Sequence, residues 1–161
     1  MTLHLEAESN TTLRGNYVLL RADSLRLLLP QHEVGAAEYL ATGLEAAEFA
    51  GLHRHAHDEN TPESEGKRRF AALSTHMQLL TSYPGDRFVV TPLGQEDDDL
   101  GWCWNEVKVL IDVELHPQRV PTVLIAPYTP VDRFVEHDGE IAYLSSAERL
   151  RHYAFAPRSR A

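Results

Sequence analysis

The chain has 161 residues, with 15 Lys plus Arg against 24 Asp plus Glu and a formal charge of −9 with neutral histidine. Nucleic-acid binding rests on basic counter-charge, so this balance argues against a nucleic-acid partner. Hydrophobic residues make up 43%, enough for one ordinary core, and a single cysteine excludes an internal disulfide and fits a reducing compartment. No apolar run approaches the ~20 residues of a membrane span. Met1 to Asn10 carries Glu6 and Glu8 and no apolar stretch of signal-peptide type. One cytoplasmic domain, not inserted in a membrane, is the expectation.

In chain order, residues 1–15 are polar and read as a flexible arm. Tyr17 to Leu20 and Leu25 to Leu29 are apolar runs of strand length across the polar break Arg21-Ala22-Asp23-Ser24, which predicts a β-hairpin ended by Pro30. His32 to Leu40 has only Val34 and Leu40 as apolar anchors and favours neither helix nor strand. Residues 45–66 form an acidic, His-rich insertion read as a solvated excursion, with a helical turn at Ala46 to Phe49. Phe70 to Leu73 and Arg87 to Thr91 are short strands separated by the turn signal Tyr83-Pro84-Gly85-Asp86.

Leu100 to Val113 alternates with period two and predicts one long strand, bent or bulged for its length. Cys103, Val107, Val109, Ile111 and Val113 form its expected buried face, with Asn105 the single polar exception. Trp102, Trp104, Glu106, Lys108, Leu110 and Asp112 form the other face, where the tryptophans either cap a core or anchor an interface. Val123 to Ala126 is a further apolar run. Val131 to Val135 and Ile141 to Leu144, joined through Asp138-Gly139, read as a hairpin. Ser145, with Glu148 three residues on, predicts the N-cap of the one helix. Residues 153–161 form an Arg-rich tail. Many short strands with regular turn signals indicate a mainly β barrel or sandwich.

With the elements in this order, the chain resembles the CheW-like (chemotaxis coupling protein) domains over residues 16–152. The resemblance rests on Tyr17-Val18-Leu19-Leu20, Leu27-Leu28-Leu29-Pro30 and Glu33-Val34 at the start. Phe70-Ala71-Ala72-Leu73 and Trp104-Asn105-Glu106-Val107 carry it through the middle, and Asp138-Gly139, Ile141, Leu144, Glu148 and Leu150 carry it at the end. Glu65-Gly66, Phe70, Asn105 and Arg133 depart from the family pattern of Arg-Gly, proline, aspartate and glycine. The resemblance implies a pair of small intertwined β-barrels with a short C-terminal helix. It also implies a non-catalytic adaptor or scaffold in chemotaxis-type signal transduction, linking a chemoreceptor to a histidine kinase. On it, Glu33, Val34, Trp104, Asn105, Glu106 and Val107 are the expected partner-binding residues, and no cofactor is expected.

An alternative chemistry lies in His53, His55 and His57. Three imidazoles beside Asp58 are a ligand set suited to zinc and, with an open position, to a small metal-dependent hydrolase. The acidic flanks carry neither helix nor strand pattern to fix that geometry, so a solvated, titrating loop is the competing reading. Cys103 is the only thiol; as a nucleophile it needs a base such as His76 or His116, and otherwise it is core. The sequence contains no P-loop, no G-x-G-x-x-G and no G-x-S-x-G elbow. Asp97-Asp98-Asp99 reads as a solvated tip.

Overall fold

The fold is seen in a computed structural model that describes residues 11–40, 48–49, 68–94, 100–121 and 129–155. His53, His55, His57, the Asp97–Asp99 run and Val123 to Ala126 lie outside the described residues. The elements are β1 (Leu13–Ala22), β2 (Leu25–Pro30), a 3₁₀ turn (Gln31–Glu33), β3 (Glu38–Tyr39), β4 (Glu48–Phe49) and β5 (Arg69–Ala71). They continue with β6 (Val89–Thr91), β7 (Leu100–Trp104), β8 (Glu106–Leu115), β9 (Gln118–Arg119), β10 (Arg133–His137), β11 (Glu140–Leu144) and the helix α1 (Ala147–Phe155).

The predicted hairpins form. In β1–β2, Ala22 stands opposite Leu25 and the turn residue Asp23 takes φ 56°, a conformation that Asp tolerates better than most residues. In β10–β11 the turn is Asp138-Gly139 with φ of 52° and 76°, the positive pair that a two-residue hairpin demands. β1 takes in Leu13 to Gly15, assigned above to the arm, because Leu13 faces Leu115 and Arg14 faces Glu114 on β8. Glu48–Phe49 is a strand parallel to β5 rather than a helical turn, with Phe49 fully buried.

Two mixed sheets result, ordered β8-β1-β2-β11-β10-β9 and β3-β6-β7-β5-β4. The first is built from both ends of the chain, joined by the parallel pairing of β2 with β11; the second is built from the middle. Among the described residues neither sheet closes into a barrel, which corrects the barrel expectation. Strands of two or three residues at the edges of the second sheet offer too few ladder bonds to wrap it shut.

The long strand predicted over 100–113 is two strands in two sheets. Asn105 is the one-residue link, with β7 in the second sheet and β8 at the edge of the first. A bulge then sets Ile111 and Asp112 against the single residue Asn16, with Asp112 at φ 51°. An extra residue reverses the side-chain alternation. Leu110 is therefore buried before the bulge and Leu115 after it. Val109, before the bulge on the face of Val107, and Ile111, at the bulge, were expected inside and are exposed.

The largest apolar cluster lies between the sheets and under α1: Leu20, Leu27 and Leu29 meet Trp102, Trp104 and Leu150. The other face of the first sheet carries Leu19, Leu28, Leu110, Leu115 and Val135; that of the second carries Phe49, Phe70, Val90 and Cys103. Burial on both faces explains the near-continuous leucine run of β2. It also explains Gly101, where a Cβ would stand 2.6 Å from Val90 Cγ1.

Candidate interaction surface

The residues singled out as partner-binding fall at two places in the fold. Glu33 and Val34 lie where the chain leaves the 3₁₀ turn, and both are partly exposed. Their backbone is paired with the end of β6, since Gly94 N–H donates to Glu33 O (2.7 Å) and Gly35 N–H to Pro92 O (2.9 Å). Glu33 also accepts the Ala147 N–H at Oε1 (2.7 Å), capping α1 from a distant part of the chain. The local cap is Ser146, whose Oγ accepts the Arg149 N–H (3.1 Å), so it stands one residue beyond the predicted Ser145. Ser145 instead donates its hydroxyl to Pro130 O (2.8 Å).

Trp104 to Val107 cross from one sheet to the other. Trp104 is fully buried, stacked on Trp102 with ring centroids 6.1 Å apart and an interplanar angle of 12°, and its indole N–H donates to Thr91 Oγ1 (2.9 Å). It is core, not a partner contact, which corrects that assignment. Asn105 is a fastener: its backbone N–H donates to Arg21 O (2.8 Å), its Oδ1 accepts the Asp23 N–H, and its Nδ2 donates to Asp86 O (3.1 Å). Val107 packs against the main cluster, and Glu106 is exposed within 3.9 Å of Arg21. Of the predicted set, Glu106 is the most open to a partner.

Beside Asn105 lies a group that sequence reasoning missed. Arg87 is fully buried and donates through Nη2 to Asp23 Oδ2 (2.9 Å), with Asp86 Oδ1 3.8 Å from its Nε. It joins the turn of the first sheet to the second. The polar exception at Asn105 was the visible signal of this junction; nothing in the sequence around Arg87 marks it as buried.

Cys103 sits in the second sheet among Phe49, Phe70, Ala72 and Val90. Burial pushes its thiol up to about 12, against the opposing pull of Arg87 and Arg68. His76 and His116 are both exposed, whereas Cys103 is buried. A protonated, buried thiol does not act as a nucleophile. The native protein is therefore expected not to react with Ellman's reagent at about pH 8, and to release one thiol equivalent once unfolded in denaturant. A reactive thiol in the native state contradicts the placement.

At the foot of α1, Arg149 makes a paired contact with Asp132 (Nη1–Oδ1 2.8 Å, Nη2–Oδ2 3.3 Å). The guanidinium holds the Asp132 carboxyl below its ordinary value of 3.8. A carboxylate lowered in the folded state stabilises it fully above the unfolded value and loses that contribution as pH falls through the lowered one. The stability advantage of the natural protein over Asp132→Asn is thus expected to be constant at neutral pH and to shrink below 3.8, as read by urea unfolding across the acid range. An advantage that grows with acid contradicts the pairing.

Among the described residues no group of three or more His, Cys, Asp or Glu is placed to hold a metal ion, and no helix is long and apolar enough to cross a membrane. What the fold leaves open is the outer edge of β8, ten residues long and without a neighbouring strand among the described residues. Comparison with protein-family models, curated proteins and solved structures finds no match to this chain.

Proposed function

We propose that the chain is a non-catalytic adaptor of the CheW-like kind, coupling a chemoreceptor-type protein to a histidine kinase in a bacterial signalling array. The observation that carries this reading is the path of the chain. Both ends build one sheet around the parallel β2–β11 pair, the middle builds the other, and a C-terminal helix packs over the main cluster. The sequence resemblance implies an intertwined pair of barrels, and a sheet built from both ends of the chain beside one built from its middle supports that reading. The partner contact is assigned to the start of β8, where Glu106 is exposed beside the half-buried Val107. A charged, exposed residue at a sheet edge suits a modest protein–protein interface in which charge selects the partner.

The test is capture: the full chain, immobilised, is expected to retain a histidine kinase or a chemoreceptor-like protein from the source bacterium. Glu106→Arg is expected to weaken that retention. Capture of neither class by the natural chain sinks the proposal.

A further inference from the structure

We propose that the cleft at the start of β2 and β11 binds the phosphate group of a small organic phosphate. These two strands pair in parallel only at Leu27–Tyr143 and Leu28–Leu144. Beside the residues before them lies a cleft of about 570 Å³, walled by Leu25, Arg26, Glu140 and Ile141, with Arg21 and the β1–β2 turn at one end. Two arginines meet there. Arg21 on β1 stands directly opposite Arg26 on β2, a placement that puts both side chains on one face of the sheet with Cα atoms ~5 Å apart. Like charges so placed repel. Glu106 lies 3.9 Å from Arg21 and Glu140 3.3 Å from Arg26, but these acids are 55% and 68% exposed, and water weakens such contacts. Asp23, the remaining acid in the cleft, is engaged by Arg87.

Arg26 is the rigid member of the pair. It is only 8% exposed, its Nη1 donates to His137 O (3.1 Å), and its Nε faces Glu140. These contacts hold the guanidinium plane against the β10–β11 turn and leave Nη2 without a hydrogen-bond partner among the described residues. Arg21 likewise directs Nη1 to Asp23 O (3.4 Å) and leaves its own Nη2 without one. A largely buried guanidinium with a free N–H favours an acceptor that carries charge. A phosphate dianion accepts from both arginines at once and neutralises the opposed pair, which the single charge of a carboxylate does only by half. The cleft is larger than a phosphate group needs, and Ile141, 45% exposed, and Tyr143 offer an apolar wall to the rest of the molecule. This site does not rest on the coupling function and survives its failure.

Calorimetric titration of the full chain with phenyl phosphate tests it, beside inorganic phosphate and phenol. The natural protein is expected to bind one phenyl phosphate saturably, inorganic phosphate more weakly and phenol not at all. Arg21→Gln, at a partly exposed position, keeps its unfolding transition and weakens binding about tenfold. Arg26→Gln weakens it further. Glu140→Gln tightens it, because the carboxylate that competes for Arg26 is gone. The absence of saturable binding overturns the proposal, as does phenol binding as well as phenyl phosphate. Weaker binding by Glu140→Gln also overturns it, since Glu140 would then be holding a cationic group. Inorganic phosphate held as tightly as phenyl phosphate overturns the assignment of an organic phosphate.

Discussion

Trp104→Ala is expected to cost the fold about 4 kcal/mol, within the range for emptying a buried aromatic site. For a domain of this size that is a large part of the whole stability, so the variant unfolds at much lower urea than the natural chain. Trp104 is fully buried, stacks on Trp102, and lies in the cluster that both sheets and α1 share. Its loss opens a void where three layers meet, and they cannot all close on it. Trp104→Phe separates packing from hydrogen bonding. It keeps most of the ring but leaves the buried Thr91 hydroxyl without the indole N–H, a cost of about 1–2 kcal/mol. If Trp104→Ala changed partner binding and left stability intact, the residue would be a contact and not core.

The second large effect is expected at Asp23, and it is asymmetric. Removing the carboxylate from a buried guanidinium weakens the compensation of a charge that cannot reach water, whereas replacing the buried charge by an apolar residue costs less. Arg87 is the buried member, while the Asp23 side chain is 45% exposed and reaches water. Asp23→Asn, which suits the positive φ of this turn, therefore costs about 2 kcal/mol, because the buried guanidinium keeps only Asp86, 3.8 Å from its Nε, as a charged neighbour. Arg87→Met costs less, because the freed Asp23 is solvated. Combining the two recovers most of the loss, as a double-mutant cycle measured by urea unfolding shows. Equal costs for the two single variants contradict the account.

Much of the fold was legible because local chemistry decided it. The Asp-Gly turn fixed the β10–β11 hairpin, and the polar break at 21–24 fixed β1–β2. The region from 100 to 115 was legible as strand but not as two strands. Period-two alternation records which residues alternate, not which sheet each half joins, and one extra residue at the bulge reverses inside and outside without altering the pattern's look. Ile111, at the bulge, was placed inside for that reason; Val109, also placed inside, shares the face of Val107 but lies on the edge strand of the first sheet, and both are exposed. The trans cap from Glu33 to Ala147 was equally hidden, since the two residues are 114 positions apart. The candidate site suffered in the same way. Trp104 and Asn105 stand out in the sequence, but one serves the core and the other the junction, and only the exposed Glu106 remains fully available to a partner.

The most direct test of the proposed coupling function is a titration of the full chain with the purified regulatory region of a bacterial histidine kinase. Saturable binding in the micromolar range, weakened about tenfold by Glu106→Arg and unchanged by the remote Glu38→Gln, is the predicted result. No saturable binding by the natural chain, or equal weakening by both substitutions, contradicts it.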